Sequence, residues 1–419
     1  QEIYDGKQGA TLAKVMPKLV RYRELFGAEG LVPVTSKYNH LVTSFGLKAL
    51  APVYELMNQL IESGNVSKQK FSADPRPLDP NVPSSFLQDF VFKNFMYSKQ
   101  DDYEKQLTQL GIMEKDAYTC TCYMDEVGNT PAMGEVLSWS ESSAVVYANS
   151  VLGARCNRNS GIIDLMGSVV GYVPRFGLLT DEGRKATWIV KIETTKKPEA
   201  QLLGSAIGMK VMADVPYIVG LDKWLGGELD DAAKTYLKDF GAATASNGAV
   251  GLYHVENITP EAVKYGKDLI AENAKVYVVD DAELQRVYES YLVIWKKKDA
   301  KPKLCFMGCP HMSLQQLIDW TEKVSQSLKE AGRTRVCIPT VFTAAPAVLK
   351  KFQETPYAET LKATGVITSY ICPLMYMNNP LSEKMPVITS SNKLRTYTSA
   401  RYYTDAEILE QITKGGADR

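Results

Sequence analysis

The spacing of apolar residues predicts helices and short strands that alternate along the chain. Apolar side chains recur at three- and four-residue steps over Ala10–Phe26 and Leu50–Ile61, which predicts two amphipathic helices. Short apolar runs predict buried strands at Leu31–Val34, Val276–Val279, Lys303–Met307, Val336–Ile338, Val366–Ile371 and Val387–Thr389. Further helices are predicted at Leu284–Leu292 and at Ser313–Ala331, the second capped by Ser313. This alternation predicts an α/β fold with mostly parallel sheets covered on both faces.

The length of 419 residues exceeds what one hydrophobic core supports, so several domains are expected. We predict three α/β subdomains, over residues 1–115, 116–280 and 281–419. In parallel sheets, ligands bind at loops that leave the carboxyl ends of strands. The proline-rich segment Asp74–Pro80 is predicted to be such a loop, because each proline fixes its own φ and disfavours helix before it.

Charge and composition exclude some classes of partner. Lys plus Arg equals Asp plus Glu at 48 each, which gives no electrostatic reason to bind nucleic acid or an anionic membrane. No apolar run approaches the roughly 20 residues needed to cross a bilayer. We therefore expect a cytoplasmic protein that binds neither nucleic acid nor membrane. The chain has seven cysteines, which is an odd number, and we expect free thiols and no framework of disulfides.

Three cysteines occupy positions where a metal centre could be held. Cys120 lies in the sequence YTCT, Cys309 in GCPH after a predicted strand, and Cys372 in YICP after another. Iron–sulfur clusters take thiolates from loops, and Gly or Pro beside a cysteine lets backbone N–H groups approach the sulfur. On spacing alone, buried core thiols are the simpler interpretation of all three. The chain has no CxxC pair to support a zinc ribbon.

The densest polar stretch runs from Gly134 to Arg158. It contains a predicted buried helix, Ala144–Leu152, which Ser140 or Ser142 is expected to cap. After it, Arg155, Asn157 and Arg158 form a set of donors suited to a carboxylate or phosphate. Helix capping explains the serines and Glu141 equally well.

The three histidines and one glycine pattern carry weaker signals. We expect His254 to be structural, His311 to support a metal ligand at Cys309, and His40 to reach a pocket. The pattern Gly204–Gly208 is too short to indicate a nucleotide site, and packing of a turn against a helix explains it better.

The runs WSESSA and ANSVLGARCNR within Gly134–Arg158 closely resemble aconitase X, the divergent branch of the aconitase superfamily. YTCT, GCPH, Cys372 and Val387–Lys393 extend this resemblance over essentially the whole chain. It implies an aconitase-like fold of three α/β subdomains around a cleft that binds an iron–sulfur cluster. Cys120, Cys309 and Cys372 would be the ligands, of a four-iron cluster or, alternatively, of a two-iron cluster or mononuclear iron.

The resemblance also implies a hydro-lyase that dehydrates a small hydroxy acid. We expect Ser142 and Glu141 to be the catalytic residues of this chain. The implied substrate-binding residues are His40, Arg155, Asn157, Arg158, Ser391 and Lys393. The chain would be a large subunit, inactive alone, whose small-subunit partner carries the swivelling domain and the serine base. Two positions depart from relatives, with Cys122 in place of proline and Cys156 in place of threonine, so a ligand swap at Cys122 stays open.

The family includes archaeal dehydratases of 5-phosphomevalonate and bacterial dehydratases of cis-3-hydroxy-L-proline. Val34–Gly46 and the Asp74 loop resemble the bacterial kind, so hydroxyproline, giving pyrroline-2-carboxylate, is the expected substrate and 5-phosphomevalonate the alternative. Arg155 and Arg158 suit one carboxylate, and no further basic cluster serves a phosphate. Glu141 or Asp74 would accept the ring ammonium. A non-catalytic metal-binding or sensor protein is the alternative from another class.

Overall fold

A computed structural model describes residues 1–415 and divides their strands among four sheets. Two small sheets belong to the first 182 residues. Strands Tyr38–Leu41 and Lys70–Ala73 pair in parallel, and Leu31–Pro33 pairs antiparallel with Tyr172–Pro174. The α-helices around them are Ala10–Leu25, Ala51–Glu62, Phe86–Val91, Gln100–Leu110, Ser142–Ser150 and Gly161–Val170.

The next stretch of chain forms a four-stranded sheet in which all pairs are parallel. Its strands, in spatial order, are His254–Val255, Pro216–Val219, Ala186–Ile192 and Ile270–Val279. Its α-helices are Ala200–Val211, Asp222–Leu225, Asp231–Asn247, Pro260–Tyr265 and Asp281–Glu289. A Cβ added to Gly204 would lie 2.3 Å from the Phe240 carbonyl oxygen, so this glycine lets two helices approach closely. The glycine pattern therefore serves helix–helix packing, with no turn involved.

A five-stranded sheet, again parallel throughout, occupies the C-terminal part. Its spatial order is Ile367–Ser369, Thr340–Ala344, Leu304–Met312, Val387–Thr389 and Arg401–Tyr402. The α-helices of this part are Leu314–Glu330, Pro346–Gln353, Pro356–Ala363, Pro373–Met377, Asn392–Tyr397 and Asp405–Lys414. The predicted α/β fold with parallel sheets is confirmed. The predicted division at residues 115 and 280 stays a prediction.

Several predicted elements match the structure closely and others need correction. Ser313 caps its helix as expected, through a reciprocal pair of bonds with Gln316. The strand predicted at Val336–Ile338 is wrong, because the N–H groups of Val336 and Cys337 bond to Thr364 and Ile412 outside any strand. The strand begins beyond Pro339, at Thr340.

Two boundaries also differ from the predictions. Asp280 caps the helix predicted at Leu284–Leu292 by accepting from Glu283 N, so this helix begins and ends three residues earlier. The strand expected to end at Met307 continues to Met312 and carries Cys309 within it. In the described residues, no helix has both the length and the apolar composition of a membrane span.

Candidate active site

Cysteines from three distant parts of the sequence line one small cavity. Cys120, Cys309 and Cys372 are each more than nine-tenths buried, and all three border a cavity of about 50 Å³. Cys309 lies in the central strand of the C-terminal sheet, and Cys372 follows the carboxyl end of the edge strand Ile367–Ser369. The parallel sheets thus bring together the three predicted ligands.

Without a bound cation, the three thiols at this cavity resist deprotonation. Burial raises the pKa of Cys120, Cys309 and Cys372, that of Cys372 to about 12. The ammonium of Lys393 lowers the pKa of each thiol, but burial outweighs it. Three thiols that share one cavity and one neighbouring cation are suited to a strongly positive metal group, which would hold them deprotonated.

His311 connects the three cysteine segments. Its backbone N–H donates to Cys120 Sγ at 3.4 Å, and its ring Nε2 lies 3.0 Å from the carbonyl oxygen of Ile371, next to Cys372. Because a carbonyl only accepts, Nε2 carries the proton, and Nδ1 accepts from Thr119 Oγ1 at 2.9 Å. Burial lowers the pKa of His311 to about 4, so the ring stays neutral in this arrangement.

A buried ion pair forms another wall of the cavity. Lys393 Nζ donates to Glu141 Oε1, while Glu141 Oε2 accepts from Ser143 Oγ at 2.6 Å and from Ala144 N at 2.8 Å. Burial alone would favour neutral Glu141, but Lys393 lowers the pKa of this carboxyl. Glu141 is also the N-cap of the helix Ser142–Ser150, so the expectation that Ser140 or Ser142 caps it is wrong.

Asp74 also borders the cavity, and His40 lies next to it. The two are 3.3 Å apart, Asp74 Oδ1 to His40 Nε2, and neither atom has a well-formed hydrogen bond among the described residues. Asn129 Nδ2 donates to Ser72 Oγ, and His40 Nδ1 lies 2.9 Å from the same oxygen. With its pKa raised to about 10, the ring of His40 carries a proton on each nitrogen, so Nδ1–H is directed at Ser72 Oγ and Nε2–H at Asp74.

The pKa values of His40 and Asp74 are both raised. Burial disfavours the imidazolium, but interactions with Cys122 and Asp74 raise the pKa of His40 to about 10. Burial, with the charge of Glu141, raises the pKa of Asp74. Cys122 thus lies beside His40 and is absent from the residues that line the cysteine cavity.

The other predicted site residues are more dispersed. Arg155 pairs with exposed Asp181 and donates to Leu179 O at 3.1 Å, and Asn157 bonds to the backbone of Phe176 and Leu178. None of these residues lines the cavity.

Three further predicted residues are Ser391, Ser142 and Arg158. Ser391 caps the helix that carries Lys393, by accepting from Leu394 N at 3.1 Å. Ser142 is the first residue of its helix. Arg158 is mostly buried, and its Nη1 has no partner among the described residues. Burial lowers the pKa of Arg158, and the charge of Glu141 opposes this shift.

Sequence reasoning missed the residues that position the site. Ser72, Asn129 and Thr119 carry no motif, because a short polar side chain acts here only through the histidine it contacts. Asp74 was considered only as an ammonium acceptor. The available signal was its place directly after the strand Lys70–Ala73, at the carboxyl end of a parallel pair.

The fold and the site define a class of protein: a parallel α/β protein with a thiol-lined cavity flanked by an acid–imidazole pair and a lysine. Comparison with known proteins agrees. The family model described as aconitase X first domain matches residues 1–182, and the aconitase X second domain matches 186–289. The chain is 31% identical to a Thermococcus kodakarensis protein named phosphomevalonate dehydratase large subunit, over 86% of this chain and 83% of that one.

A crystal structure of Thermococcus kodakaraensis aconitase X, titled as the holo form, superposes with a TM-score of 0.78. It is 27% identical, and the match covers 98% of each chain. A Hypocrea jecorina cis-3-hydroxy-L-proline dehydratase is 33% identical over 218 residues, which are 50% of this chain and 34% of that protein. The chain belongs to the aconitase X family, and it is a hydro-lyase of that type.

Proposed function

We propose that this chain is the large subunit of a dehydratase that acts on phosphomevalonate together with a small subunit. The observation that carries the proposal is the extent of the matches. A Methanocaldococcus jannaschii phosphomevalonate dehydratase large subunit is 27% identical over 99% of this chain and 98% of its own length. The two sequences therefore align over nearly the whole length of both chains. The sequence-based preference for hydroxyproline gives way to its alternative.

The residues at the cavity fit an iron–sulfur cluster held by Cys120, Cys309 and Cys372. Among residues 1–415, no three His, Cys, Asp or Glu side chains are grouped so as to hold a single metal ion. This favours a cluster of several irons over mononuclear iron, and three cysteines would leave one iron of a four-iron cluster without a thiolate. When bound, such a cluster supplies a Lewis acid that polarises the departing hydroxyl group.

Dehydration also requires that a proton reach the leaving hydroxyl group. Asp74 borders the cavity and His40 lies behind it, so this pair is suited to hold that proton at the carboxyl oxygen facing the substrate. Glu141 is less suited, because both of its oxygens accept hydrogen bonds from this chain. Its role would be to fix Lys393 beside the thiols. The base that removes the α-proton would belong to the small subunit.

Of the two predicted arginines, Arg158 is the better candidate for the substrate carboxylate. Its Nη1 is buried without a partner among the described residues, whereas Arg155 is bound to Asp181 and Leu179. A buried guanidinium nitrogen without a hydrogen-bond acceptor destabilises the fold unless a ligand supplies the acceptor. Ser142, Asn157 and Ser391 remain predicted site residues.

cis-3-Hydroxy-L-proline is the second candidate substrate. The identity to the Hypocrea jecorina enzyme favours it, as does Asp74, which is available to accept a ring ammonium. The test is to purify the chain with its small subunit under anaerobic conditions and assay both substrates. Turnover of phosphomevalonate without turnover of the imino acid supports the proposal. Turnover of the imino acid alone selects the second candidate. Turnover of neither substrate contradicts both.

The cluster assignment has its own test with a matched control. Cys309→Ser is expected to lower bound iron and the visible absorption of the protein to background. Cys305→Ala changes an equally buried thiol on the same strand that does not line the cavity, so iron content should stay at the wild-type value. Equal iron loss in both variants would contradict the ligand set. Stoichiometric zinc without visible absorption would favour a non-catalytic metal protein.

A further inference from the structure

Four large apolar side chains are exposed within ten residues of one another, on a segment that supports the cavity. Their exposed fractions are 88% for Phe86, 57% for Leu87, 46% for Phe90 and 55% for Phe95. Phe90 and Phe95 are in edge contact at 5.8 Å between ring centroids. We call these four residues the aromatic patch. Phe86 and Phe90 are four residues apart on the helix Phe86–Val91 and so lie on one face of it. A group of exposed apolar side chains of this kind is typical of an interaction surface.

The segment beneath the patch is anchored rigidly to the residues that line the cavity. Tyr97 donates to the carbonyl oxygen of Met375 at 2.7 Å, and Gln88 Nε2 donates to Ser382 Oγ at 2.9 Å. Met375 borders the cysteine cavity and follows Cys372 by three residues. The segment that carries the patch is thus bonded to the helix that directly follows Cys372, one of the proposed cluster ligands.

A second connection joins the patch to the cavity from the other side. The turn Lys48–Leu50 contacts the Phe92–Met96 turn that carries Phe95. Three residues before that turn, Phe45 lines the cavity. The segment that carries the aromatic patch is therefore connected to the cavity lining through two separate contacts, one toward Met375 and one toward Phe45.

We propose that the aromatic patch is the docking surface for the small subunit, an inference that rests on the proposed two-subunit enzyme. Relatives matched over nearly their full length are named large subunits. By contrast, the match to a Pseudomonas aeruginosa cis-3-hydroxy-L-proline dehydratase covers 61% of this chain but 42% of that protein, so that polypeptide is the longer one. Aromatic side chains at the centre of an interface commonly contribute most of the binding energy.

The patch has the area of an interface centre. Side chains of this size, half to nine-tenths exposed, present on the order of 400 Å² together, about half of the ~800 Å² that one partner contributes to a standard interface. The rest would come from its surroundings. Lys93 and Asn94, both exposed, and Asp89 supply polar groups of the kind found at an interface rim.

The test measures binding of the purified small subunit from the same organism to the iron-loaded large subunit, without substrate. In Phe86→Ser/Leu87→Ser, the Kd is expected to rise at least about tenfold. Phe95→Ser provides a second variant of the patch. Leu292→Ser/Ile294→Ser is the matched control, since these residues are 82% and 62% exposed elsewhere on the molecule, and its Kd should equal that of the wild type.

Wild-type affinity in both patch variants would overturn the inference, as would equal weakening in the control. Loss of self-association in the patch variants, with unchanged small-subunit binding, would assign the patch to a second copy of this chain and also overturn it. Failure of the enzyme on both substrates, with patch-dependent binding, would refute the proposed function alone. Binding and turnover therefore test the two proposals separately.

Discussion

Two buried acid–cation arrangements in this molecule differ in how fully their polar atoms are used. Arg184 and Glu261 pair away from the cavity, and every nitrogen of the guanidinium donates to Glu261, Asn149 or Leu178. At the cavity, Asp74 Oδ1 and His40 Nε2 lie 3.3 Å apart, and neither atom has a well-formed hydrogen bond among the described residues.

The fully paired arrangement is suited to make the fold rigid, whereas the incompletely paired arrangement is suited to bind a substrate. A fully paired buried network fixes the packing between the helices Ser142–Ser150 and Pro260–Tyr265, and a further ligand would gain nothing from it. An incompletely paired group keeps bonding capacity for a substrate, at a cost in stability that the surrounding fold offsets. The predictions below test this distinction, from the largest expected effect to the smallest.

Asp74→Asn should lower kcat of the two-subunit enzyme about a thousandfold, because an amide cannot transfer the proton, and should leave Tm unchanged. Steady-state kinetics and a thermal melt check this. Asp79→Asn is the control in the same loop, where Asn81 N and Ser369 Oγ already bond to the carboxylate. That variant should lose stability and keep kcat. A kcat within tenfold of wild type for Asp74→Asn would remove Asp74 from the reaction.

Arg184→Met should cost about 3 kcal/mol of unfolding free energy, because it leaves Glu261 charged, buried and unpaired. Urea denaturation measures this. The double variant Arg184→Met/Glu261→Gln should recover part of the loss, since the uncompensated charge is gone. If the single variant were as stable as wild type, the pair would have no structural role.

Asp164→Asn should stabilise the protein above neutral pH. Burial raises the pKa of Asp164 to about 8, so folding keeps a proton that the unfolded chain releases near pH 4. This contribution is complete below the unfolded pKa and is lost as pH rises toward 8, which makes wild-type stability fall. From pH 6 to pH 7.5, the unfolding free energy of the variant minus that of the wild type should increase by about 2 kcal/mol. Parallel stability curves for the two proteins would contradict it.

Cys156→Thr should change neither iron content nor activity measurably. Cys156 is fully buried, its Sγ lies 3.3 Å from Asn157 O, and it does not line the cysteine cavity. A threonine hydroxyl can donate to the same carbonyl. Iron loss in this variant, measured beside Cys309→Ser, would show that the proposed ligand set is wrong.

The sequence predicted the parallel α/β fold well, because apolar runs alternating with helical periodicity reflect burial directly. It was less informative about which polar residues meet. Arg155 and Arg158 were expected to emerge together, yet an odd separation along extended chain places side chains on opposite sides. Arg155 turns to Asp181 at the surface, and Arg158 turns inward. Tertiary contacts between distant segments, such as Asn129 with Ser72, leave no periodic signal in either segment.

His311 has a consequence for how a cluster would be acquired. One side chain and its own amide join the segments of all three cysteines through Thr119, Ile371 and Cys120. The thiols of the proposed ligands therefore share one cavity in this structure, and loading a cluster there would cost little further conformational entropy. Such a site suits transfer of a preassembled cluster into a folded protein, in contrast to small metal domains that fold only around their metal.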